Sequence, residues 1–169
     1  YQMGEDKTVK ILKSAILLEK RGRAFYTTVA QQTDKDAVRR FFGQMADEEK
    51  THIRVLSEQY RVYCEKKSFK SGGYGTEPAG AIASTVLCKE LKDQISAAGF
   101  ESAAIAAAMA MEKNAITLYS QRAEEATDPN EKALYEWLAD WEKTHLAFLA
   151  TVEREVTETI WNDNNFWPF

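Results

Sequence analysis

The chain spells Glu-Lys-Thr-His twice, at 49–52 and at 142–145, and these two stretches use both of its histidines. On an α-helix a step of three residues turns about 300°, so the glutamate and histidine of each stretch share a face while the lysine and threonine point elsewhere. Each pair also sits inside an apolar stripe, flanked by Met45 and Leu56 in one case and by Leu138 and Leu149 in the other. Glu49, His52, Glu142 and His145 are therefore expected to face a core, where a carboxylate beside an imidazole is a donor set for a divalent metal.

Sliding the chain by 93 residues superposes more than the tetrapeptide. Ala15 falls on Ala108, Glu19 on Glu112, Lys20 on Lys113, Tyr26 on Tyr119, Asp47 on Asp140 and Leu56 on Leu149. Self-similarity over this length marks two copies of one supersecondary unit. Glu19 lies between Ala15 and Gly22, and Glu112 between Ala108 and Ala115, on the inward lines of their own helices. The midpoint of 19 and 49 is 34, and that of 112 and 142 is 127; both positions fall in polar turn-like stretches. Each glutamate is thus about 15 residues, roughly 22 Å, from its turn. In an antiparallel hairpin the paired glutamates return to one level, so four carboxylates and two imidazoles converge on a single layer.

Four buried carboxylates without partners would each cost several kcal/mol. Two divalent metals cancel that charge, each taking one imidazole and sharing carboxylates with the other. The carboxylate-rich N/O set suits two iron ions or manganese, and zinc could occupy it as a redox-inert ion.

The elements that must position these groups are legible in the periodicity. Helix A is expected over about 5–32, with Leu12, Ala15, Gly22, Phe25 and Val29 inward. Helix B follows over about 35–66, with Val38, Phe42, Met45, His52, Leu56 and Tyr63 inward. Residues 67–99, rich in glycine and then carrying a short helix-like piece from Ala81 to about Ile95, read as a crossover. Helix C is expected over about 100–126. Asp128 as N-cap, Pro129 at the first helical position and Glu131 in a capping box start helix D, which runs over about 129–160. Its inward line is Leu134, Leu138, Trp141, His145, Phe148, Val152 and Val156. The fold class is all-α: a four-helix bundle of two repeated antiparallel hairpins joined by a long crossover, as one domain over 1–169 with an aromatic tail at 161–169.

Glu19, Glu49-Lys-Thr-His52, Glu112 and Glu142-Lys-Thr-His145 together resemble the ferritin-like di-iron carboxylate superfamily, most closely its rubrerythrin-like branch. The resemblance covers nearly all of residues 5–160. It implies that Glu49 and Glu142 bridge two iron ions, that Glu19 and Glu112 are terminal ligands, and that His52 and His145 supply nitrogen. It further implies reduction of hydrogen peroxide or dioxygen. Two departures bear on the chemistry. Rubrerythrins carry a further glutamate three residues after the helix C ligand, where this chain has Ala115, and they append a rubredoxin-type domain, for which Cys64 and Cys88 are too few. A separate electron-donor protein such as a rubredoxin is therefore expected.

Tyr26 and Tyr119 each follow a ligand glutamate by seven residues, on the same face about two turns away. They could hydrogen-bond a carboxylate, relay an electron or proton, or fill the core. Asp47 and Asp140 point off the ligand face, and Met109 and Met111 read as packing. A formal net charge of -4 with scattered basic residues argues against nucleic acid, and no apolar run is long enough to span a bilayer. The chain reads as soluble and cytoplasmic, with two free thiols and a homodimer or larger homo-oligomer as the expected assembly. Three functions compete: a di-iron oxidoreductase, a handler that oxidises, stores or delivers ferrous iron, and a metal-stabilised interaction module. The last is favoured by the aromatic Trp161, Phe166, Trp167 and Phe169.

Overall fold

A helix needs acceptors for its first N–H groups, and the caps set where this chain's helices begin. Asp6 Oδ1 accepts from the Thr8 N–H at 3.0 Å and opens α1 (Lys7–Gln32), which holds a single glycine and no proline. Thr33 to Lys35 turn the chain into α2 (Asp36–Lys66). Lys35 gives α2 no side-chain cap; instead Gln94 reaches back from the crossover, its Oε1 accepting from the Ala37 N–H at 2.8 Å. Gln94 ends α3 (Thr85–Gln94), a short crossover helix packed on α2 and on the fifth helix. α4 (Phe100–Glu125) follows. Asp128 Oδ1 then accepts from the Asn130 N–H at 2.8 Å, with Pro129 as the first residue of α5 (Pro129–Asn164).

The computed structural model describes residues 6–75, 85–96 and 99–164, and among these it is all-α, with α1 packed along α2 and α4 along α5. This is the expected pair of hairpins joined by a crossover. Within each hairpin the backbones approach closely, whereas between hairpins they stand further apart and long side chains span the gap. Among the described residues no helix is long and apolar enough to cross a membrane.

The core lies in two apolar clusters. One holds Phe41, Phe42, Met45, Leu91, Ile105 and Phe148. The other holds Leu12, Leu56, Tyr119, Leu134, Tyr135 and Leu138. Each fully buried leucine or phenylalanine stabilises the fold by roughly 1.5–3 kcal/mol relative to exposure, so the bundle is held firmly by both clusters.

Three sequence expectations need correction. Phe25, expected inward on α1, is only partly buried and packs at the edge of the first cluster, whereas Tyr26, expected on the face of Glu19, is fully buried. Tyr63 is half-buried at the end of the bundle, where its hydroxyl donates to Asp6 Oδ2 at 3.2 Å. α5 continues past 160 to Asn164, since nothing in Trp161 to Asn164 breaks a helix, so the first part of the expected tail is helical. Trp161 is exposed, and Phe166, Trp167 and Phe169 lie outside the described residues, as do Ala81 and the side chain of Cys88. Cys64 is a free, exposed thiol.

Removing the α5 cap should be measurable. Asp128→Ala is expected to cost about 1 kcal/mol, seen as a lower denaturation midpoint at an unchanged m-value.

Candidate metal centre

Glu19 on α1, Glu49 and His52 on α2, Glu112 on α4, and Glu142 and His145 on α5 are all buried, none more than 3% exposed. They form two overlapping groups whose nearest donor atoms lie within 4.8 Å of one another: Glu19, Glu49, His52 and Glu142 in one, Glu49, Glu112, Glu142 and His145 in the other. Glu49 and Glu142 belong to both groups. Glu19 and Glu112 belong to one each.

The imidazoles show what this layer lacks. His52 Nδ1 lies 2.9 Å from Glu142, 3.1 Å from Glu19 and 3.4 Å from Glu49. His145 Nδ1 lies 2.9 Å from Glu142, 3.5 Å from Glu112 and 3.8 Å from Glu49. One ring nitrogen carries at most one hydrogen and cannot serve three carboxylates. Glu142 Oε1, despite its distance from His52, makes no hydrogen bond and is buried. Lone pairs from nitrogen and several carboxylates thus converge on points that no protein donor fills, and the donor set fits a pair of metal ions.

Protonation must otherwise resolve the crowding. Burial, reinforced by Glu142 and Glu19, drives the Glu49 carboxyl well above its usual range. Burial and the Glu142 charge push Glu112 up to about 8. Burial works against charge on Glu142 as well, but His52 and His145 outweigh it and hold that carboxyl well below the usual range. For the imidazoles burial favours the neutral form, yet Glu142 beside His52, and Glu112 with Glu142 beside His145, raise both well above ordinary histidine.

Both tyrosines join this layer, each reaching across to the opposite hairpin. The Tyr26 hydroxyl donates to Glu112 and the Tyr119 hydroxyl donates to Glu19. Burial, with the charge of Glu112 or Glu19 respectively, holds each phenol well above its usual value, so both remain donors. Asp47 and Asp140 are exposed, and Asp140 pairs with Lys143 at 2.9 Å. Met109 packs on the core, as expected. Met111 does more: with Leu18, Gly22 and Ala115 it lines a cavity of about 20 Å³ that reaches Glu19, Glu49, Glu112 and Glu142.

Glu48 was missed in the sequence, and Trp141 was expected only as an inward residue of helix D. Glu48 Oε2 lies 2.5 Å from His145 Nε2 and accepts from Trp141 Nε1 at 3.0 Å. Glu48 and Trp141 are themselves 93 apart, so the signal that could have found them is a break in the repeat at a position beside a ligand.

A sequence model of the rubrerythrin family, described simply as rubrerythrin, matches residues 10–153. The chain belongs to the rubrerythrin family. No curated protein and no solved structure matches it. Membership in that family and the buried Glu/His cluster together fit a di-iron site.

Glu49, Glu112, His52 and His145 all hold protons in the folded metal-free protein above the pH at which the unfolded chain releases them. Their stabilisation is complete at low pH and is lost as pH rises toward the folded values, for Glu112 about 8. Metal-free protein should therefore unfold at lower denaturant concentration at pH 8.5 than at pH 6. Metal affinity should rise over the same interval, with protons released on binding, measurable as a buffer-dependent heat.

Proposed function

We propose that this chain is a di-iron oxidoreductase that reduces hydrogen peroxide or dioxygen, with electrons supplied by a separate donor protein such as a rubredoxin. The carrying observation is the pair of overlapping, fully buried groups that share Glu49 and Glu142. In this reading Glu19, Glu49, His52, Glu112, Glu142 and His145 would hold the two ions, Glu49 and Glu142 serving both positions, Glu19 and Glu112 one each, and His52 and His145 offering Nδ1. When bound, two ferrous ions would supply the two electrons that cleave an O–O bond; peroxide takes up two protons as well and leaves as two waters.

The chain's own groups prepare that reaction. Tyr26 and Tyr119 hold Glu112 and Glu19 by hydrogen bonds from phenols that burial keeps protonated, which orients both terminal carboxylates. The two apolar clusters exclude bulk water from the layer. The cavity beside Leu18, Gly22, Met111 and Ala115 has room for a water-sized molecule next to the carboxylates, a place where a small oxidant could approach them. The 169 residues hold two cysteines, so a tetrathiolate iron centre for electron delivery has to come from outside them. A homodimer or larger homo-oligomer in the cytoplasm is part of the same proposal.

Anaerobically reduced, iron-loaded protein given a chemical reductant should turn over many equivalents of peroxide or dioxygen. Oxidation that stops at one event per iron, with the iron stored or passed on, would replace this reading with iron handling. A native site filled by zinc alone would replace it with a metal-stabilised interaction module.

Gly22 offers a sharper test of access. A Cβ there would meet Glu49 and Met111 at 3.8 Å, ordinary van der Waals contact, and would occupy the cavity mouth. Gly22→Ala should therefore stabilise α1 by up to about 1 kcal/mol, because glycine is a poor helix former. It should at the same time slow reoxidation by peroxide several-fold in stopped-flow absorbance. A higher melting temperature with an unchanged rate would place the entry route elsewhere.

A further inference from the structure

The two hairpins repeat each other so closely around the site that a mismatch there has consequences. At the position just before the bridging glutamate, α2 has Glu48 and α5 has Trp141. Four residues earlier α2 has Gln44 and α5 has Trp137. The two histidines consequently sit in different surroundings. His145 directs Nδ1 at the carboxylate layer, and its other nitrogen, Nε2, faces Glu48 Oε2 at 2.5 Å. Trp141 Nε1 donates to the same Glu48 oxygen at 3.0 Å and so fixes the carboxylate that fixes the imidazole. His52 directs Nδ1 at the layer too, but its Nε2 is buried with no hydrogen-bond partner. Trp137 and Trp141 pack against that ring nearly perpendicular to it, at centroid distances of 5.4 and 5.0 Å.

This difference decides how well each ring can offer Nδ1 to a metal. A neutral imidazole that offers Nδ1 to a metal carries its hydrogen on Nε2. For His145 that hydrogen meets a carboxylate, the arrangement that orients a ligating histidine and raises its basicity. For His52 it would meet only indole rings, which are far weaker acceptors. Both Nδ1 atoms face a carboxylate in the metal-free protein, His52 toward Glu19 Oε2 at 3.1 Å and His145 toward Glu142 Oε2 at 2.9 Å, and a ring that gives Nδ1 to a metal must give up its hydrogen there; only His145 then keeps a carboxylate partner, at Nε2.

We propose that the two metal positions are unequal: the one at Glu112 and His145 binds first and more tightly, the one at Glu19 and His52 is labile, and Glu48 is the positioning residue that sets this order. The inference rests on the dinuclear reading of the site but not on its redox chemistry. A chain with only two histidines makes it directly measurable with a redox-inert ion.

Protein labelled with ¹⁵N-histidine would be titrated with zinc(II) and followed by NMR, the two imidazoles being assigned in the metal-free state from His145→Gln. The first equivalent of zinc should move the His145 nitrogens and the second those of His52. Glu48→Leu should weaken the first step by 10- to 100-fold and erase the order, while leaving the second step within about threefold. Glu48→Gln, which keeps an acceptor for Nε2, should preserve the order. Simultaneous movement of both rings in the unaltered chain, or His52 moving first, would overturn the proposal. So would an unchanged order and affinity in a folded Glu48→Leu variant. If neither imidazole responds to zinc, the metal-centre reading falls with it, a result distinct from equal binding at both positions.

Discussion

The rest of the structure depends on placing four carboxylates and two imidazoles in one layer of a dry bundle. Such groups are excluded from a protein interior unless they neutralise one another or gain counter-charges. Here mutual neutralisation is incomplete. Each Nδ1 faces three carboxylates, and Glu142 supports both imidazoles while Glu49 and Glu112 are driven to retain protons. The fold supplies a frame stiff enough to hold this arrangement. An apolar cluster on either side, long helices free of interior proline, and caps from Asp6, Gln94 and Asp128 keep the layer from relaxing toward water.

The polar layer also joins the two halves. Backbones come close within each hairpin but not between hairpins, so the inter-hairpin seam is spanned by long side chains. Tyr26 crosses from α1 to Glu112, and Tyr119 crosses back from α4 to Glu19. Trp141 reaches from α5 to Glu48 on α2, and His52 on α2 approaches Glu142 on α5. The wide spacing accommodates glutamate side chains arriving from four helices. Hairpins packed as closely on each other as each is on itself would leave no room for the layer.

The buried Glu/His cluster was legible because it depends on quantities a sequence carries directly: a helical offset of three, a repeat of 93 and equal distances from the turns. Helix limits followed from the same periodicity wherever a cap marked them, as at Asp128. What periodicity gives is a face, not a partner. It placed Tyr26 on the side of Glu19, yet the antiparallel packing of two hairpins delivers its hydroxyl to Glu112. Glu48 was passed over because matches between repeats reveal what the halves share, whereas its role arises where they differ.

Ala115 is the other position where chemistry turns on a single residue. On the di-iron reading, two ferrous ions would carry four positive charges against the four negative ones of the carboxylates that hold them, with Glu48 a further carboxylate beside His145. Two-electron oxidation would add two positive charges to a low-dielectric layer, where charge is expensive. A further carboxylate three residues after Glu112, as rubrerythrins have, would offset one of them. Ala115 offers none, and its methyl group instead borders the small cavity beside Gly22 and Met111. The same exchange of glutamate for alanine therefore acts twice: it favours the reduced state electrostatically, and it leaves open the space through which a small oxidant would reach the centre.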